Sequence, residues 1–382
     1  MTMRRVLVVV AIAVLASVLG GGVASAAEDG SLEATLFQFH RGQDIFLMLM
    51  LVAFLMLFIR RYEWGVCLAT LLVLSVSWPL YLIGHTLLGN PLDIEAVILG
   101  VFASITLVIA IGVFLGHIST SLFLVAAVLF VPGYMLNEWF MFSYLDGVLD
   151  AGGSILVHMF AAYWGWGVIL ALRNSAILRE PMRTTTHSVS FVWLASLLLF
   201  VLWPSFVTAL LPPDQIIPAM INCYLALMAS ALCAYLLMYV LRRRIDPLAY
   251  TYALLAGGVA IGATVDLATP WQAWLIGAAG GIVSTLSFLY LNDWLTRRTG
   301  QLDTMGVHNL HGVPGLLGAL AAFLVADAPA GQWAAIAGAI VIGMVTGAVT
   351  GLVLRLFPRP GLMLDDAEAL TVEESRETEA RS

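Results

Sequence analysis

Along this chain apolar residues come in long unbroken runs, not in the alternating or one-sided stripes of a soluble fold, and polar residues gather in the short breaks between them. Runs near 20 residues are the length that crosses a ~30 Å hydrocarbon core at 1.5 Å of helical rise per residue. They predict about eleven spanning helices. The runs lie at 37–59, 65–84, 93–115, 120–137, 151–172, 188–210, 216–241, 248–266, 271–292, 305–327 and 332–357. The expected fold class is therefore an all-α polytopic membrane protein. Ahead of these runs, Arg4 and Arg5, an apolar stretch, and the small residues Ala24 and Ala26 have the order of a secretory signal. Cleavage after Ala26 is expected, which makes 1–26 a signal peptide and 27–360 the membrane domain; an uncleaved first helix is the rival reading. The acidic segment 361–382 has few apolar residues and reads as a disordered tail.

The arginines orient the runs. With an outside start, Arg60 and Arg61, Arg173, Arg179 and Arg183, Arg242 to Arg244, Arg297 and Arg298, and Arg355 and Arg359 all fall on one side. Positive loops face the cytoplasm, so the C-terminus is expected there, and the chain in the cell's inner (plasma) membrane. Composition agrees: 61% of residues are hydrophobic and 11% charged, which excludes a water-soluble enzyme. A net charge of -7 with no lysine excludes a nucleic-acid partner. Cys67, Cys223 and Cys233 lie far apart in apolar runs and give neither a disulfide framework nor a metal site.

Ionisable groups inside hydrocarbon are costly and are kept by pairing or by function. Of seven histidines, only His158, His308 and His311 fall well within spans. Glu138, Asp150 and Asp266 are expected at outer helix ends, and Asp303 at the inner start of the tenth span. DAGGSILVH, from Asp150 to His158, and DTMGVHNLH, from Asp303 to His311, place a histidine eight residues after an aspartate. Eight residues of helix are about 12 Å, so two spans entering from opposite faces would bring His158 and His311 together near the midplane. His308 would lie about 4–5 Å shallower on the same helix face. A five-span offset with opposite orientation is the mark of an inverted repeat around a midplane site. Three uses remain open for such histidines: satisfied packing residues, metal ligands, or a line of uncharged hydrogen-bonding rings in a pore. Metal is disfavoured because no carboxylate is well placed beside them, and no cofactor is expected.

The stretches DAGGSILVHMFAAYWGWGV, LWPSF, LAGGVAIG, IVSTLSFLYL and DTMGVHNLHGVPGLLGAL resemble the Rh (Rhesus glycoprotein) branch of the ammonium transporter and Rh channel superfamily, from about residue 93 to about residue 350. The resemblance implies a homotrimer of eleven-helix subunits, each with a narrow hydrophobic pore conducting ammonia, drawn from ammonium, past two phenylalanines and a histidine pair. Carried over by motif, the first pore histidine is His158. The second is His311 by the HG-x-x-G-x-x-G spacing, or His308 by alignment on GVH. Phe102 and Phe206 match the phenylalanine gate. Asp150 and Asp303 are expected as helix caps or vestibule charges, and Asp266 as an outer charge that attracts cations. Leu210 stands where a hydroxyl residue sits in the ammonium transporter branch, and that branch's outer tryptophan has no counterpart, so a strong cation–π site is not expected. Methylamine and carbon dioxide are further candidate solutes, and membrane lipids the surrounding partners. An ammonium sensor on the same scaffold and a membrane oxidoreductase are the competing classes.

Overall fold

A computed structural model describes residues 32–57, 62–179 and 184–357 together with Asp366. The expected signal peptide, 1–26, and the tail, 361–382 apart from Asp366, lie outside the described residues. Eleven long helices account for the structure, and no strand occurs among the described residues. They are α1 (Leu32–Leu55) and then α2 (Trp64–Leu87), α3 (Ile94–Phe114), α4 (Leu122–Tyr144), α5 (Ser154–Leu172), α6 (Thr186–Val207), α7 (Pro213–Arg242), α8 (Pro247–Thr264), α9 (Pro270–Thr299), α10 (His308–Val325) and α11 (Gly331–Leu354). The ten from α2 onward are each long and apolar enough to cross a membrane. In α1 the charged Arg41 and Asp44 are tied to α6. The Arg41 guanidinium donates to Thr208 Oγ1 at 3.1 Å, and the Ser205 hydroxyl donates to Asp44 Oδ2 at 2.6 Å.

The packing repeats with a five-helix offset. Helix α2 packs on α4 as α7 does on α9, α3 on α5 as α8 on α10, and the two leading helices, α1 and α6, pack on each other. The eleventh helix lies along α5. The most buried spans are α3, α5 and α8, which form the centre of the bundle.

Small residues set these distances. Lipid tails are as apolar as leucine, so helices in a bilayer associate through close van der Waals packing and not through burial from water. A Cβ on Gly277 would strike the backbone of Ala226, and one on Gly281 the backbone of Ser230, so α9 lies directly on α7. Gly343, Gly347 and Gly351 repeat the device on α11, against the backbone of Trp164 and Val168 in α5.

Several boundaries shift from the sequence reading: α1 begins at Leu32 and α9 runs on to Thr299. The fifth and tenth spans begin at Ser154 and His308, not at 151 and 305, because the residues before them form capping turns. Helix α4 continues to Tyr144 through a wide π turn over Phe140–Tyr144. Glu138 thus lies inside a span and not at its end. Both of its carboxylate oxygens accept from the Tyr81 hydroxyl, at 3.0 and 2.9 Å, which is how a half-buried acid is kept there. At the start of α2, where Glu63 offers no side-chain cap, Asp366 accepts from the Trp64 and Gly65 amides at 2.7 and 2.9 Å.

Replacing Gly347 by alanine puts a methyl group into the carbonyl of Trp164 and forces α11 away from α5. Overpacking of this kind costs roughly 1–3 kcal/mol. The thermal midpoint of detergent-solubilised Gly347→Ala, followed by size-exclusion of heated samples, is expected several degrees below wild type. An unchanged midpoint would mean the α5–α11 seam is looser than described.

Candidate functional site: a histidine pair below an acidic vestibule

Each half of the bundle builds its half of the site in the same way. In the first half, Asp150 precedes the helix, Gly153 takes a left-handed φ of 76°, and its amide donates to the Asp150 carbonyl at 3.0 Å. In the second half, Asp303, Gly306 at φ 65° and a 3.2 Å bond from Gly306 to the Asp303 carbonyl do the same. Only glycine adopts this conformation without strain, and it turns the chain back over the aspartate. The carboxylates then cap the free amides of the following helix. Asp150 accepts from Ile155 at 2.9 and 3.1 Å and from Leu156 at 2.8 Å. Asp303 accepts from Val307 at 3.0 Å and from His308 at 2.8 Å. Burial raises the Asp150 carboxyl to about 7 and that of Asp303 to about 6, while the donated amide bonds pull in the other direction.

Both helices begin with a wide π turn, Ser154–Met159 and His308–Gly312, before tightening into regular α-helix. Such turns are rare overall and are frequent at functional sites. They carry His158 and His311 to one another: Nδ1 to Nδ1 is 3.0 Å, with ring centroids 5.0 Å apart and planes 22° from parallel. Two nitrogens at that distance share one hydrogen, so one ring donates and the other accepts. The donating ring keeps a bare Nε2 and the accepting ring an Nε2–H. The pair therefore offers one acceptor and one donor while remaining uncharged, and Nε2 of His158 is buried without a protein partner. His308 is not part of this pair. Its ring meets Tyr163 edge-on at 5.6 Å and Trp166 at 6.3 Å.

Around the pair the surface is apolar. A cavity of about 30 Å³ touches both histidines and is otherwise lined by Met48, Val52, Ile105, Trp203, Leu255 and other apolar side chains. This is room for one or two water-sized molecules. Trp203, which sequence reasoning quoted within LWPSF but gave no role, stacks on His158 at 5.8 Å and 24°. Its signal was the three-residue spacing to Phe206 on one helix face.

Above the pair, Phe102 and Phe206 meet at a centroid distance of 4.8 Å, both almost fully buried, and Phe206 also contacts the His158 ring at 5.9 Å. They form the floor of a vestibule of about 550 Å³ whose acids are Glu95, Glu138, Asp150 and Asp266. Oδ1 of Asp266 is buried there without a hydrogen-bond partner, and burial raises its carboxyl. Leu210 and Trp139 also line this chamber. Among the described residues no cluster of three potential metal ligands occurs.

The sequence pattern of the Ammonium Transporter Family matches residues 6–328. The chain belongs to this ammonium transporter family. Ammonium transporter Rh type C of Bos taurus is 34% identical over 304 residues, covering 76% of this chain and 66% of its own length. Rh type A of the same species is 31% identical over 351 residues, 87% of this chain and 82% of its own. The chain spans just under two thirds of the length of several such relatives, 63% for Rh type C of Oryctolagus cuniculus. The solved structure of Nitrosomonas europaea Rh50 is 32% identical, covers 91% of this chain and 95% of that one, and superposes with a TM-score of 0.87. These likenesses place the chain on the Rh branch. Mep2 of Saccharomyces cerevisiae, at 17% identity and a TM-score of 0.73, shares the fold. The ammonium transporter family consists of transporters, not enzymes.

Substituting alanine for Asp150 strands the amides of Ile155 and Leu156 where water does not reach. At about 1–3 kcal/mol for each stranded donor, the cost is roughly 2–6 kcal/mol, and Asp303→Ala loses a similar amount. Asp266→Asn keeps an oxygen acceptor at this side chain and is expected to leave stability near wild type. Thermal midpoints of the three purified variants give the comparison, and a stable Asp150→Ala would refute the capping role.

Proposed function

We propose that this protein conducts ammonia through the bundle, past Phe102 and Phe206 and then along the His158–His311 pair. The observation that carries the reading is the hydrogen-bonded histidine pair facing an apolar cavity of molecular size. A bare cation in such surroundings faces a Born cost of order 20 kcal/mol before compensation, whereas a neutral molecule does not. Ammonia both donates and accepts. The bare Nε2 and the Nε2–H of the pair replace the two kinds of hydrogen bond that ammonia loses on leaving water, and neither holds a charge that would trap it. The acidic vestibule attracts ammonium electrostatically, and above the phenylalanines the ammonium gives its proton to solvent water in the vestibule. The likeness to ammonium transporters Rh type C and Rh type A supports ammonium as the source.

His308, turned onto Tyr163 and Trp166, has a packing role in this scheme. The further parts of the proposal are a homotrimer with a pore in each subunit, the arginine-bearing loops in the cytoplasm, and insertion in the cell's inner membrane. The arginine distribution and the family resemblance support them.

Stopped-flow of proteoliposomes holding a pH-sensitive dye tests the reading. Wild-type vesicles are expected to alkalinise faster than protein-free vesicles on mixing with ammonium. His158→Ala, with its trimer intact, is expected to slow this about threefold to tenfold, from ~1 kcal/mol per hydrogen bond lost. His308→Ala is expected to conduct as wild type. Acceleration by carbon dioxide alone would assign the pore to that gas, and no acceleration by either would leave a sensor.

A further inference from the structure

Every other arginine among the described residues stands in a loop or at a helix end on one side of the bundle, but Arg41 lies within α1 on the opposite side, beside the last turn of α6. Asp44 follows it nearly one turn later and reaches the same helix. The Arg41 side chain is held over the Phe37 ring, 5.5 Å from its centroid, and its Nε donates to Thr208 Oγ1 at 3.1 Å. Asp44 accepts from the Ser205 hydroxyl at 2.6 Å. Charged groups in an apolar helix are kept by pairing or by function. Among the described residues lining the vestibule and the histidine cavity neither Arg41 nor Asp44 occurs, so these charges do not act on the solute directly.

The turn they grip is the one that carries the aromatic rings of the pore. Ser205 and Thr208, three residues apart, meet α1. Trp203 and Phe206, also three apart, meet the pore, where Trp203 stacks on His158 and Phe206 packs on Phe102. This turn is weak by itself. Pro204 lies inside α6 and has no N–H, so the helical bond to the Phe200 carbonyl is missing. Thr208 strengthens the turn from below, since its hydroxyl donates to the Pro204 carbonyl at 2.7 Å while accepting from Arg41. Helix α1 also forms the facing wall: Met48, one turn after Asp44, and Val52 line the cavity together with Trp203 and Phe206. One hydrogen bond on either side of Phe206 therefore holds the two walls in a single register.

We propose that Arg41 and Asp44 are positioning residues that brace the proline-weakened end of α6 and thereby set the discrimination between ammonia and larger amines. The inference rests on the conduction reading above and adds to it a determinant of selectivity. A cavity with room for one or two water-sized molecules admits or refuses one further methyl group according to small displacements of its walls. A ring is held to that tolerance only where its backbone is locked by supporting hydrogen bonds. Asp44 and Arg41 supply the lock from outside the path.

Stopped-flow of proteoliposomes holding the full chain, mixed with ammonium or with methylammonium, gives the ratio of methylamine to ammonia entry. Ser205→Ala and Asp44→Ala are each expected to raise this ratio about fivefold, the scale of one lost hydrogen bond. Asp44→Asn, whose amide oxygen still accepts from Ser205, is expected to stay near wild type. A second readout does not depend on conduction. The fluorine NMR resonance of para-fluorophenylalanine incorporated at position 206 is expected to shift or broaden in both alanine variants and to keep its position in Asp44→Asn. Ser205→Ala removes a single oxygen and keeps the test available should Asp44→Ala fail to fold. An unmoved resonance in the alanine variants would overturn the brace, and a moved resonance with an unmoved ratio would overturn its part in selectivity. Asp44→Asn behaving as Asp44→Ala would assign the effect to charge and overturn the proposal too. If wild type conducts neither amine, the conduction reading fails, while the resonance still decides the brace.

Discussion

The site depends on two carboxylates, each accepting the free amides at the start of a helix buried in the bundle. Helix ends leave unpaired backbone donors, and in hydrocarbon no water is available to take them up. Asp150 and Asp303 supply the missing acceptors, each after a tight turn closed by a left-handed glycine. With the ends satisfied, α5 and α10 can start inside the protein and open with a wide turn. Those turns bring His158 and His311 to hydrogen-bonding distance. Removing a carboxylate therefore acts on the pair through the helix it anchors.

Close packing of backbones has a complementary role. Glycine seams hold α9 on α7 and α11 on α5, which leaves the larger side chains to fill the centre. There Phe102, Trp203 and Phe206 pack beside the histidine pair and leave a cavity of molecular size. A vestibule with four acids thus meets an apolar cavity across two rings. In the proposed channel this change of medium, more than any single contact, would separate charged from neutral solutes.

The repeat explains why one arrangement appears twice. The Asp-x-x-Gly turn followed by a π turn recurs in α5 and α10, and the neighbouring contacts recur with a five-helix offset. The two half-sites meet inside the bundle at the histidine pair, so neither half forms the site alone. The halves diverge where their surroundings do. Position 308, five residues after its aspartate, is a histidine turned onto Tyr163; the corresponding position in the first half is Ile155.

Much of this was legible in the sequence because a membrane imposes strong periodic constraints. Run length located the helices, although the ends of α4 and α9 lie seven residues beyond it, and the matched spacings of Asp150 to His158 and Asp303 to His311 carried the inverted repeat and the meeting of the pair. The residues that escaped it are those whose role depends on a distant partner. Glu138 looked like a helix end until the Tyr81 hydroxyl placed it inside α4. Trp203 looked like one more buried aromatic until the His158 ring lay on it. His308 and His311 lie three residues apart on one helix, and spacing left both open. The wide turn at the start of α10 decided between them, by rotating one ring onto His158 and the other onto Tyr163. Local sequence determines where a helix runs and how deep each residue sits, but the direction of a side chain around the helix axis is set by the packed neighbours. Only the tertiary structure contains those.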